Sequence, residues 1–124
     1  LLATTTKTIQ ADRLQAIGQL TQKYPAVSIL KGSGTLIQQS GIQPTAINLR
    51  GNAGMASAGM GDVLAGMIAA YLGQQLSAYQ AARTAVFIHA LCAEDFTESL
   101  DQSGLIASDI IQRIPKITRQ LRSP

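Results

Sequence analysis

Asp62 closes the segment Gly59-Met60-Gly61-Asp62, directly ahead of the uncharged run from Val63 to Leu72. Ten residues without a charge, rich in helix formers, are expected to form a buried helix that begins near Gly61. Asp62 then falls in a first helical turn. The leading amides there have no intrahelical acceptor and the macrodipole is positive, so phosphate is the natural ligand and the carboxylate lies beside it. An Asp in a first turn also serves simply as a cap, and glycines before a helix also serve close packing against a sheet. A cap, however, needs one residue. Here the lead is long, with Gly51, Gly54, Gly59 and Gly61 among mostly small neighbours, so the backbone is free to bend sharply and a ligand is free to approach its amides.

A second stretch, Lys31-Gly32-Ser33-Gly34-Thr35, offers amides, hydroxyls and an ammonium together, a combination suited to phosphate oxygens. It is not a Walker loop, because the lysine precedes the glycines and Thr35 to Gln39 reads as a strand rather than a helix. Taken alone it is an ordinary Ser-Gly turn behind a surface lysine. It gains meaning from the Gly51 to Asp62 stretch. Other polar candidates carry less. His89 sits beside Ile88 in a helical pattern and reads as a packing residue, and Glu94 and Asp95 are adjacent, so they do not face together as metal ligands. No metal site is expected from the protein's own side chains.

These stretches need elements to hold them. A helix is expected from a cap at Thr8 through Ile9, Arg13, Leu14, Ile17, Leu20 and Tyr24, ended by Pro25. Ala26 to Leu30 reads as a buried strand, Thr35 to Gln39 as a second and Thr45 to Leu49 as a third, the last two joined by a short loop at Ser40-Gly41. That loop favours an antiparallel pair on an otherwise parallel sheet, a small mixed sheet in an α/β fold. After a stop at Gly73, Ser77 and Gln80 form a capping box for a helix whose buried stripe is Ala81, Ala85, Ile88, Cys92 and Phe96. Ser108-Asp109 is expected to cap a last helix that Pro115 breaks or bends.

The chain has 124 residues, 46% of them apolar and 14% charged, which describes one small globular domain, neither disordered nor membrane-spanning. Its net charge of +3 comes partly from Arg113, Lys116, Arg119 and Arg122. With no aromatic residues among these cations, they read as a solvated face near a helix C-terminus and not as a nucleic-acid surface. Cys92 is the single cysteine, so no internal disulfide forms and a reducing, cytoplasmic setting is expected.

Gly51-Asn52-x-Gly54-Met55-Ala56, followed by Gly59-x-Gly61-Asp62-Val63-Leu64-Ala65-Gly66, resembles the signature of the NAD(P)H-hydrate dehydratases, members of the ribokinase-like superfamily. Lys31-Gly32-x-x-Thr35 is similar to a segment of the same family, and residues 104–109 resemble it more weakly. The likeness implies a ribokinase-like fold, with the whole chain as the C-terminal part of a longer family domain. It implies an anion hole at Gly59 to Gly61, Asp62 against the substrate hydroxyl that receives phosphate, and Lys31, Gly32, Ser33, Gly34, Thr35 and Gly61 around ADP or ATP with Mg²⁺. The implied activity is dehydration of hydrated NADH or NADPH; a ribokinase-like kinase of a small alcohol and a nucleotide-binding piece without activity of its own are the alternatives. Self-association, or association with the remainder of such a domain, is the partnership expected. Ala53, Ala58 and Met60 replace the Pro, Gly and Thr common in the family. Were position 58 left-handed, its Cβ would cost about 1 kcal/mol.

Overall fold

The computed structural model describes residues 2–42 and 44–122. Two helices, α1 (Thr6–Ala11) and α2 (Arg13–Lys23), precede three strands, β1 (Val27–Leu30), β2 (Thr35–Gln39) and β3 (Ala46–Asn48). Three longer helices follow, α3 (Met60–Gly73), α4 (Ala78–Thr97) and α5 (Ala107–Arg122), with short 3-10 turns at Ala53–Ala56 and Gln102–Gly104.

The single N-terminal helix expected from Thr8 is instead two. Thr5 caps α1 by accepting the Thr8 amide at 3.2 Å, and Asp12 caps α2 by accepting the Gln15 amide at 2.8 Å. A short carboxylate that bonds its own backbone competes with helical continuation, which places the break at Asp12. Of the expected stripe, Ile17 is buried while Leu14 and Tyr24 are exposed.

The sheet has the order β1-β2-β3, and both pairings are antiparallel, Leu30 opposite Leu36 and Thr35 opposite Asn48. This corrects the expected mixed sheet. The four residues 31–34 between β1 and β2 are too few for the crossover a parallel pair needs, so the glycine stretch is a hairpin loop.

α4 is the centre of the core. Its capping box is present, Ser77 with Gln80, and Ala81, Ala85, Ile88, Cys92 and Phe96 are all buried. The small alanines let α3 and α5 approach closely, bringing Leu64, Met67, Ile110 and Ile117 into one cluster with Ile37 of β2. At the start of α5 the Asp109 carboxylate accepts the Ile106 amide at 3.0 Å. The helix then runs on through Pro115, so of the break or bend expected there the break does not occur. The bond that proline removes would have gone to the carbonyl of Ile111, a residue on the exposed side of the helix, where losing it costs least.

Asp95 pairs with two of the late cations, the exposed Lys116 and the half-buried Arg113. Lys116 Nζ lies 2.5 Å and Arg113 Nε 3.4 Å from its carboxylate, and the Arg113 guanidinium stacks 4.8 Å over the Phe96 ring. Arg113 is therefore packed between helices rather than on a solvated face. Burial, helped by Asp95, pushes the Cys92 thiol up to about 11. At about pH 8 a thiol reagent should therefore leave native Cys92 unmodified and label it fully in denaturant; rapid labelling of the native chain would contradict this packing. No helix among the described residues is long and apolar enough to cross a membrane.

Candidate functional site

The hairpin loop is shaped by its glycines. Gly32 and Gly34 have φ of +138° and +66°, values that favour residues without a Cβ. Thr35 Oγ1 donates to the Gly32 carbonyl at 3.0 Å. From α2, Arg13 Nη2 donates to the carbonyls of Leu30 and Gly34 at 3.0 and 3.2 Å.

The turn before α3 is fixed from α4. Glu94 Oε1 accepts the Gly51 amide at 2.7 Å, and its other oxygen pairs with Arg50 at 2.5 Å. Asn52 donates to the Ala93 carbonyl at 2.8 Å and accepts the Gly54 amide at 3.0 Å. A Cβ on Gly54 would collide with the Gln102 carbonyl, so this glycine serves close packing. Gly59 then caps α3 in the left-handed region at φ +82°, and no side chain bonds its first turn. The Gly59 carbonyl accepts the Asp62 and Val63 amides at 3.0 Å, leaving the amides of Met60 and Gly61 at the open end of the helix. The left-handed position thus falls on Gly59 and not on Ala58, and the strain considered for Ala58 does not arise; among the described residues Gln75 alone has positive φ without being glycine. Met60 turns its side chain into the core.

The two stretches meet. Lys31 Nζ lies 2.9 Å from the point a Cβ on Gly61 would occupy, so the ammonium rests against the start of α3. Lys31, Gly32, Ser33, Gly34, Thr35 and Gly61 line one cavity of about 410 Å³, together with Asn48, Gly51 and His89. His89 is 5% exposed and its Nε2 has no hydrogen-bond partner among the described residues. Burial above all lowers its pKa; a bond with the Met60 backbone opposes this and the Lys31 charge adds to it. Burial thus disfavours a charged imidazole in this cavity, while Lys31 and Arg50 line it with positive charge, an environment suited to an anion.

Asp62 stands apart from this cavity. It is exposed in the first turn of α3 and lines a separate groove of about 960 Å³ between α3 and α5, with Met67, Tyr71, Ile114 and Arg119. The start of α3 thus has an anion-suited side at Gly61 and a carboxylate on the neighbouring side at Asp62. Sequence reasoning missed Arg13, which it placed in an apolar stripe, and Glu94, whose partner lies 43 residues away. No local pattern marks either one.

The fold is ribokinase-like: Bacillus subtilis YxkO, described as a putative kinase, superposes with a TM-score of 0.93 at 25% identity, over 98% of this chain and 45% of that one. The ADP/ATP-dependent NAD(P)H-hydrate dehydratase from Bacillus subtilis, co-crystallized with ATP/Mg²⁺, matches with a TM-score of 0.87 at 27% identity, over 92% of this chain and 41% of that one. The family model described as NAD(P)H-hydrate dehydratase matches residues 1–116, and the chain belongs to that family. The bifunctional NAD(P)H-hydrate repair enzyme Nnr of Vibrio cholerae is 42% identical over 117 residues, 94% of this chain. The chain spans 23% of that relative's length.

Proposed function

We propose that this chain carries the nucleotide-phosphate site and the proton acceptor of an ADP- or ATP-dependent NAD(P)H-hydrate dehydratase, a hydro-lyase that repairs hydrated NADH and NADPH. The observation that carries the reading is the Lys31 ammonium seated against Gly61 at the start of α3. In this reading Lys31, Gly32, Ser33, Gly34, Thr35 and Gly61 hold the nucleotide phosphates. The amides at Gly59 to Gly61 stabilise charge on the moving phosphoryl group.

Hydroxide leaves a reduced nicotinamide ring poorly, whereas phosphate leaves well. The ring hydroxyl oxygen bonds to the terminal phosphorus of the nucleotide as the phosphorus–oxygen bond to the rest of the nucleotide breaks, and the hydroxyl proton passes to Asp62. The ring nitrogen's lone pair then expels phosphate, and the adjacent carbon gives up a proton to restore the double bond. A Mg²⁺ arriving with the nucleotide would ride on phosphate oxygens. Among the described residues no group of three His, Cys, Asp or Glu side chains gathers to hold a cation. The names of the relatives favour this activity over phosphorylation of a small alcohol.

Only one side of α3, that of Met60, Leu64 and Met67, is buried, and Leu72 is 45% exposed. Such an apolar flank recruits protein, and phosphoryl transfer needs nucleotide and acceptor held in line. The isolated chain should therefore bind ADP, associate at micromolar concentration with a second copy or with the remainder of a ribokinase-like domain, and fail to dehydrate hydrated NADH alone. Calorimetry, light scattering and recovery of the reduced-nicotinamide absorbance test this. A monomer that turns over fully, or a stable phosphate ester as product, would contradict it.

A further inference from the structure

We infer that Arg13 is a positioning residue for the phosphate loop: from α2 it gathers the loop's carbonyls on one side, so that the other side is left to present amides and Lys31 to an anion. The inference rests on the nucleotide reading of residues 31–35. A single nitrogen, Nη2, donates to the carbonyls of Leu30, Lys31 and Gly34 at 3.0, 3.5 and 3.2 Å, across 17 to 21 residues of sequence. The remaining fork is steadied by Nη1, which donates to Gln10 Oε1 at 3.3 Å.

Gly32 is built around this guanidinium. A Cβ there would lie 2.5 Å from Arg13 Nη1, in addition to the strain of φ +138°, so the glycine makes room for the arginine as well as for a ligand. The charge is also left over. Among the described residues Arg13 meets carbonyl and amide oxygens, with no carboxylate in its hydrogen bonds. A half-buried cation offset by dipoles alone keeps its long-range field, which adds to that of Lys31 at the loop. Lysine in its place would keep the charge but not the planar fork that spans several acceptors.

The test compares R13A and R13K with the unsubstituted chain. ADP, inorganic phosphate and adenosine are titrated calorimetrically, and digestion by a lysine-specific protease is followed after Lys31 relative to Lys116. R13A is expected to weaken ADP and phosphate about 10-fold or more, to leave adenosine unchanged and to speed cleavage after Lys31. Millimolar guanidinium ion should partly restore both properties. R13K should fall between, and it carries the comparison if R13A loses helix content by circular dichroism. Unchanged ADP affinity with unchanged cleavage would overturn the inference. If the unsubstituted chain bound no ADP, the nucleotide reading would fall, and the cleavage ratio with guanidinium rescue would still decide whether Arg13 holds the loop.

Discussion

Asp62→Asn is expected to lower turnover of hydrated NADH about 10²-fold or more, measured in a complete ribokinase-like domain carrying these residues, while ADP affinity stays nearly unchanged. The amide keeps the size of the carboxylate but takes no proton. Because Asp62 is exposed and lines the α3–α5 groove, away from the cavity that Lys31 and Gly61 line, its neutralisation should not disturb the phosphate side of the helix. Its role as a first-turn acid contributes modestly to helix stability, which a thermal melt of the variant will register. Turnover equal to the unsubstituted enzyme would remove Asp62 from the chemistry.

Lys31→Ala should weaken ADP binding about 10-fold to 100-fold, as expected for loss of a charge-assisted hydrogen bond to phosphate. The remaining affinity should depend less on salt, since a screened charge contact has gone. Adenosine offers no phosphate and should bind the variant and the unsubstituted chain alike. Lys31 is exposed, so its aliphatic stem contributes little to the core and the substitution should leave the fold intact. An equal fall in adenosine and ADP affinity would show that the side chain supports the loop rather than the ligand.

What could be read in advance was local. The Ser77 and Gln80 box lies within one helical turn, and the strand from Thr35 to Gln39 was marked by its own β-branched and apolar residues and by the glycines before it. The two phosphate-suited stretches announced themselves by glycine content. That they share a cavity was implied by the family resemblance, and no local spacing contains it. The misread features all depended on distant or competing partners. Asp12 broke the first helix by bonding its own turn, and the short hairpin loop made β1 and β2 antiparallel. Arg13, Glu94 and the Asp95 cluster with Arg113 and Lys116 act across long stretches of chain, where side-chain identity gives no hint of the partner. Glu94 and Asp95 show this well: adjacent on α4, they face apart, one fixing the turn at Gly51 and the other holding α5.

The central claim is that the 31–35 loop and the start of α3 form one phosphate site. Backbone amide resonances followed during an ADP titration test it most directly. The amides of Gly32, Ser33, Gly34 and Gly61 should shift together along a single binding curve with ADP and remain still with adenosine. Shifts confined to one of the two stretches, or equal shifts with adenosine, would contradict the account.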